Sequence, residues 1–256
     1  MKLSAYLHIC ISANFGLSVM MSLIKYFEDI IYRIDEQKSN LNNQDLLKIC
    51  EPLGKLFNAE LNPHLPHEIA ESALNLLLQE KYVARLLQSN LPQKESTDIL
   101  KPLISRLPTQ TWRSREQTQF QQFSTPPTIA YLLAFILNLK TSETVLEPSA
   151  GTGSLVIWAS SAGAKVITNE IDNRRRELLA YLGFEPTAFN AEFIDDFLAP
   201  EVTVDVVMMN PPFSANGGRT KNSSKYGFRH VESALERLKG GGKFGIIFFA
   251  FGYIFF

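Results

Sequence analysis

Hydrophobic residues recur at three- and four-residue steps through the first part of the chain and then give way to short apolar runs. Leu23, Ile24, Phe27, Ile30, Ile31 and Ile34 make the stripe of an amphipathic helix. The same period predicts helices over 43–57 and 68–87. The stretch Asn62-Pro-His-Leu-Pro-His67 reads as a loop between them, and Lys101-Pro102 opens one more short helix that ends near 106. From Leu107-Pro108 onward the pattern predicts strands at 144–147, 165–170, 187–190, 204–209 and 244–250. Helices fit between them at 127–139, 154–161, 173–182 and 229–239, the last stopped by Gly240-Gly241-Gly242. Strands alternating with helices imply an α/β fold, a parallel sheet covered on both faces. The expected organisation is an extension over 1–21, a helical region over 22–106 and an α/β domain over 107–256.

The first residues, MKLSAYLHICISANFGLSVMM, imitate a signal peptide through a lone Lys2 and an apolar run, but His8, Asn14 and Gly16 interrupt it. It is too short and too polar for a bilayer span, and reads as an extension or a misplaced start ahead of Met20-Met21. Cys10 and Cys50 have no partner at disulfide or zinc spacing, so neither a disulfide framework nor a metal is indicated and a cytoplasmic setting is expected. His64 and His67 fall in a proline-punctuated stretch without cysteines nearby and read as loop residues rather than metal ligands. The net charge of −1 excludes a globally basic nucleic-acid wrapper, so any polyanion must be met locally. Between Ser214 and Lys243, seven basic residues (Arg219, Lys221, Lys225, Arg229, Arg237, Lys239, Lys243) face only Glu232 and Glu236, and this segment is the expected nucleic-acid surface.

The chemistry concentrates at strand ends. The first strand runs into Glu147-Pro-Ser-Ala-Gly-Thr-Gly-Ser154, a turn in which Gly151 and Gly153 let backbone approach a ligand closely. It lacks the lysine of a phosphate-binding loop, and Val156 stands where a dinucleotide site has its third glycine. Glu170 ends the second strand, where a carboxylate can accept from both hydroxyls of a ribose; a solvated strand-end acid explains it equally well. Asn190-Ala-Glu192-Phe193 places an acid and a ring where an adenine could be gripped. The fourth strand delivers Asn210-Pro-Pro-Phe213, whose prolines force the chain out of the sheet in a stiff extended turn.

Taken in order, Gln122-Phe-Ser-Thr-Pro126, the turn from Glu147 to Gly153, Glu170, Asn190-Ala-Glu192 and Asn210-Pro-Pro-Phe213 resemble the motifs of class I S-adenosylmethionine-dependent N6-adenine DNA methyltransferases. Residues 107–247 further resemble the methyltransferase region at the front of bacterial strawberry-notch-like proteins. Arg113-Ser-Arg115, Met209-Asn-Pro-Pro-Phe-Ser-Ala215 and Arg229-His-Val-Glu-Ser-Ala-Leu-Glu-Arg-Leu238 carry that likeness. The resemblance implies a Rossmann-like sheet, S-adenosylmethionine as methyl donor without a metal, and DNA as partner, with a helicase-like region in the relatives. It implies Asn210, Pro211, Pro212 and Phe213 as the catalytic turn. Phe123, Thr125, Glu147, Ser149, Ala150, Gly151, Thr152, Gly153, Glu170 and Glu192 would form the cosubstrate pocket. His230 reads as a surface or core-edge histidine, because transfer to an amine positioned by an amide does not need it.

Two further strands are expected in this class after the fifth, so the apolar end from Phe244 to Phe256 reads as an uncovered edge and the chain as truncated after strand five. RNA bases or a protein glutamine are alternative substrates, and an idle cosubstrate-binding remnant of a larger helicase-linked protein is the non-enzymatic alternative.

Overall fold

The computed structural model describes residues 17–56, 64–108, 124–212 and 223–247. Helix α1 (Leu17–Ile31) runs into a wider π turn over Tyr32–Glu36 and is followed by α2 (Asn43–Leu56). Helix α3 (Leu65–Leu77) continues through a π turn at Leu78–Tyr82 into α4 (Val83–Gln88). The loop expected through His67 therefore stops short: Pro66 sits in the first turn of α3, where a missing N–H leaves no helical hydrogen bond unmade. Short helices α5 (Pro92–Glu95) and α6 (Lys101–Ser105), joined by a π turn, complete the helical front. Asp35 ties two of its pieces together, accepting from Lys81 Nζ at 2.5 Å and the Tyr82 hydroxyl at 2.6 Å. Among the described residues no helix is long and apolar enough to cross a membrane.

The α/β part comprises α7 (Pro127–Leu137), β1 (Thr144–Glu147), α8 (Val156–Ser161), β2 (Lys165–Thr168), α9 (Asn173–Tyr181), α10 (Ile194–Phe197), β3 (Val204–Met209), α11 (Ser223–Leu235) and β4 (Leu238–Ile246). The sheet is wholly parallel in the order β2-β1-β3-β4. Strand β3 alternates between two apolar layers: Val206 and Met208 pack with the helical front, Val207 and Met209 with Ile194, Ala234 and Ile246 on the opposite face. The front is not a separate body, for its buried residues and those of α7, α8 and α9 form one core. Phe27 meets Tyr181 with ring centroids 5.0 Å apart, and Tyr131 stacks on Trp158 at 5.0 Å while its hydroxyl donates to the Leu86 carbonyl at 3.0 Å.

Two expected elements differ. The strand over 187–190 reduces to a single parallel bridge between Asn169 and Thr187, outside β2. The side chain of Asn169 replaces the missing ladder: its amide nitrogen donates to the Phe189 carbonyl at 2.9 Å and its oxygen accepts from the Phe189 N–H at 2.8 Å. The last helix ends at Leu235, and Gly240–Gly242 belong to β4 instead of capping that helix. The pairing of β3 with β4 steps from Val204–Leu238 to Val206–Lys243, so these glycines take up a bulge. A Cβ on Gly242 would sit 2.9 Å from the carbonyl oxygens of both Asp205 and Lys239, which only glycine avoids.

Candidate active site

A cleft of about 270 Å³ opens at the carboxyl ends of β1, β2 and β3, the edge at which open α/β sheets bind ligands. Its floor is the turn after β1, through Ser149, Ala150, Gly151 and Thr152. Gly151 has φ +57° and Gly153 φ +95°, conformations that side-chain-bearing residues rarely adopt. Gly153 faces away from the cleft, where a Cβ would lie 2.6 Å from Leu182 Cδ1 and 3.2 Å from Leu179 Cδ2; its bareness lets the turn seat on α9.

One wall is the end of β2. Glu170 is buried and lines the cleft, accepting from the Gly151 N–H at 2.8 Å through Oε2 and from the Asp172 N–H at 2.9 Å through Oε1. Burial pushes its carboxyl above the ordinary glutamate range; nearby Arg175 and those two N–H donors pull it back. Asn169, Ile171, Phe189, Asn190 and Ala191 continue this wall. Glu192, expected here, is half-buried on the adjoining turn and is not part of the wall. Glu147 is also off the wall: it lies fully buried at the end of β1, accepting from the Ser149 N–H at 3.1 Å, with Oε2 unpaired. Burial and the neighbouring Glu170 raise its pKa well above the usual value.

The opposite wall carries Asn210 and Pro212 from the turn after β3, with Pro211 buried behind them. Asn210 Nδ2 donates to Thr125 Oγ1 at 3.0 Å, which fixes the amide and leaves its Oδ1 the outward acceptor. Thr125 and Ser124, ahead of α7, line the same cleft. Phe123 and Phe213 lie outside the described residues. His230 is buried and lines the cleft from α11, so of the surface and core-edge readings of this residue the surface one gives way.

The helical front supplies groups that the strand-end reading passes over. Asn75 on α3 donates to the Thr152 carbonyl at 2.9 Å and to Ser154 Oγ at 3.3 Å. Glu71 accepts from Ser124 Oγ at 2.5 Å and Thr152 Oγ1 at 3.4 Å, joining the segment before α7 to the glycine turn. Glu68, Ser72 and Asn75 are all buried among Ile69, Ala73 and Leu76. Polar residues at i, i+4 and i+7 on the inward face of a helix are the signal that marks them.

The basic segment is altered by its geometry. Arg237 donates to the carbonyls of Ala199 at 3.0 Å and Leu198 at 2.8 Å, Lys239 pairs with Asp205 at 2.7 Å, and Lys243 with Glu143 at 2.6 Å. Three of the seven cations thus bind the protein's own loops and strand ends. Arg229 is exposed, while Arg219 and Lys221 lie outside the described residues.

Residues 128–251 match the family described as the methyltransferase small domain. This stretch is similar to a class I S-adenosylmethionine-dependent methyltransferase domain. Over 135 residues the chain is 26% identical to tRNA (guanine(10)-N2)-dimethyltransferase of Methanothermobacter thermautotrophicus, covering 51% of this chain and 40% of that protein. A Pyrococcus horikoshii structure described as an RNA methyltransferase is 27% identical, with a TM-score of 0.38 over 47% of this chain and 58% of the other. TrmN from Thermus thermophilus is 16% identical, with a TM-score of 0.40 over 66% of this chain and 68% of that one. The chain spans less than two thirds of the first two proteins. The cleft fits S-adenosylmethionine, the cosubstrate of the family it resembles. The backbone at Gly151 is bare, and the Glu170 carboxylate has about four acceptor sites of which the Gly151 and Asp172 N–H groups use one each, leaving two for the hydroxyls of a ribose. Among the described residues no cluster of metal-ligating side chains occurs.

Proposed function

We propose that this chain transfers a methyl group from S-adenosylmethionine to the exocyclic amine of a nucleobase, with N6 of adenine in DNA as the leading target. The observation that carries the reading is the Asn210 amide, held by Thr125 so that its oxygen is the free acceptor at the rim of the glycine-turn cleft. An exocyclic amine is a weak nucleophile because its lone pair is delocalised into the ring. Asn210 Oδ1 and the Pro211 carbonyl accept its two N–H bonds, draw the nitrogen towards tetrahedral geometry and aim the lone pair. The cosubstrate, when bound, supplies an electrophilic methyl on a sulfonium centre. Glu170 holds the ribose, Gly151 and Ser149 admit the chain of the cosubstrate against backbone, and Phe189 with Ala191 bounds the adenine. Positioning supplies most of the acceleration and no strong base is needed. Phe213 stacks on the target base, which is flipped out or presented single-stranded.

A second target, the amine of guanine in RNA, is favoured by the Methanothermobacter relative, whose name specifies N2 of a tRNA guanine. The two are separated by incubating the chain with labelled S-adenosylmethionine and either DNA or tRNA, then digesting to nucleosides. Label in N6-methyladenine from DNA supports the first target and label in N2-methylguanine from tRNA the second. Cosubstrate binding with label in neither, nor in protein, supports the idle remnant.

A further inference from the structure

Three consecutive arginines open α9, and each is spoken for differently. Arg176 Nη1 donates to the carbonyls of Glu170 at 2.9 Å and Ile171 at 2.6 Å. Arg174 turns to the helical front, with Nε donating to Glu68 Oε2 at 2.6 Å and Nη2 to Oε1 at 3.2 Å. Arg175 is 5% exposed, donates from Nε to Oε1 of the same carboxylate at 3.0 Å, and reaches the cleft wall. Its Nη1 lies 3.8 Å from where a Cβ on Gly151 would stand, and the Gly151 N–H is itself bonded to Glu170. A side chain on α3 thus fixes a guanidinium that sits against the glycine turn, near enough for its charge to act on Glu170. A buried arginine is costly unless paired, and Glu68 is the pair that lets it stay there.

We propose that Glu68 and Arg175 are a positioning pair through which the helical front keeps Glu170 charged and aimed at the cosubstrate's ribose. The proposal rests on the ribose role given to Glu170 above. The charged groups around Glu170 are Glu147 at the end of β1, Asp172, Arg175 and Arg176 at the start of α9, and, through Arg175, Glu68 and Glu71 on α3. His230 on α11 lines the same cleft. Of these Arg175 is the cation whose charge opposes the burial of Glu170. A protonated Glu170 turns one acceptor oxygen into a donor, so affinity for the nucleoside falls as pH drops through its titration.

The test is calorimetric titration with S-adenosylhomocysteine from acid to alkaline pH, on the full chain, with circular dichroism establishing that each variant is folded. In Arg175→Met the acid limb of affinity moves up by about one to three pH units, the range a neighbouring opposite charge commands, and alkaline binding recovers. Arg175→Lys keeps the charge and returns the limb towards wild type, but loses the fork and binds several-fold more weakly at every pH; it keeps the proposal testable if the methionine variant does not fold. Glu68→Gln weakens binding several-fold without moving the limb upward. An Arg175→Met limb at the wild-type pH, or wild-type affinity in Glu68→Gln, overturns the proposal. Glu170→Gln separates the underlying reading: if it binds as tightly as wild type, the ribose role itself fails whatever the other variants do.

Discussion

Asn169 uses the whole hydrogen-bonding capacity of its side chain. The amide nitrogen donates to the Pro148 and Phe189 carbonyls at 2.9 Å each, and the oxygen accepts from the Thr187 hydroxyl at 2.7 Å and the Phe189 N–H at 2.8 Å. One residue therefore locks the glycine turn to the segment that walls the far side of the cleft. Truncation leaves four groups without this partner, one buried and three half-buried, and Asn169→Ala is expected to cost about 3 kcal/mol of stability, read as a shift in urea midpoint at unchanged slope. A loss below about 1 kcal/mol would mean that water replaces the amide. The sequence names Glu170 by its place after a strand, but not its neighbour. Nothing in a local pattern distinguishes an asparagine that replaces a strand ladder from one at an ordinary strand end. The same holds for Arg175, whose partner Glu68 is more than a hundred positions away.

At the scale of elements, the strands and helices of the α/β part are legible because each is an apolar run or stripe bounded by turn residues, and β1 and β3 fall where that pattern sets them. Its failures have physical causes. A side chain took over the third strand's ladder, and a register step in β4 absorbed glycines that otherwise read as a helix stop. The glycine turn itself is readable as a motif, but not the division of labour within it, where Gly151 serves the cleft and Gly153 serves α9. With φ +95° and a Cβ position 2.6 Å from Leu182, Gly153→Ala is expected to lose about 2 kcal/mol or more and to loosen the turn. Gly151→Ala has no contact nearer than 3.8 Å and costs about 1 kcal/mol from backbone strain, yet weakens cosubstrate binding. Thermal melting and ligand titration of the two variants check the contrast, and equal effects on both readouts would contradict it.

Across the whole molecule, the helical front and the sheet share one apolar core, and α3 reaches the floor of the cleft through Glu71 and Asn75 and its wall through Glu68 and Arg175. The front therefore unfolds with the sheet. Cys50 on α2 reports this: it is fully buried, its thiol is pushed up to about 12 by burial, and it stays protonated and unreactive while the fold is intact. In a Cys10→Ser background, labelling of Cys50 by a thiol reagent is expected to rise with the same denaturant midpoint as the loss of helical ellipticity. Labelling well before that transition would show that the front opens alone. Core residues on both sides of position 107 are legible as apolar stripes, whereas their union is a long-range packing event that no window of sequence contains.

The central claim is that the cleft binds the cosubstrate while the Asn210 turn performs the transfer, and one paired measurement addresses it. Binding of S-adenosylmethionine and single-turnover methyl transfer to the accepted nucleic acid are measured on wild type and Asn210→Ala. The variant is expected to bind the cosubstrate within about threefold of wild type and to transfer methyl slower by roughly two to three orders of magnitude, the scale seen when one preorganised hydrogen-bonding group is removed from a reacting centre. Transfer by Asn210→Ala at the wild-type rate, or a folded wild-type chain that does not bind S-adenosylmethionine, would contradict the account.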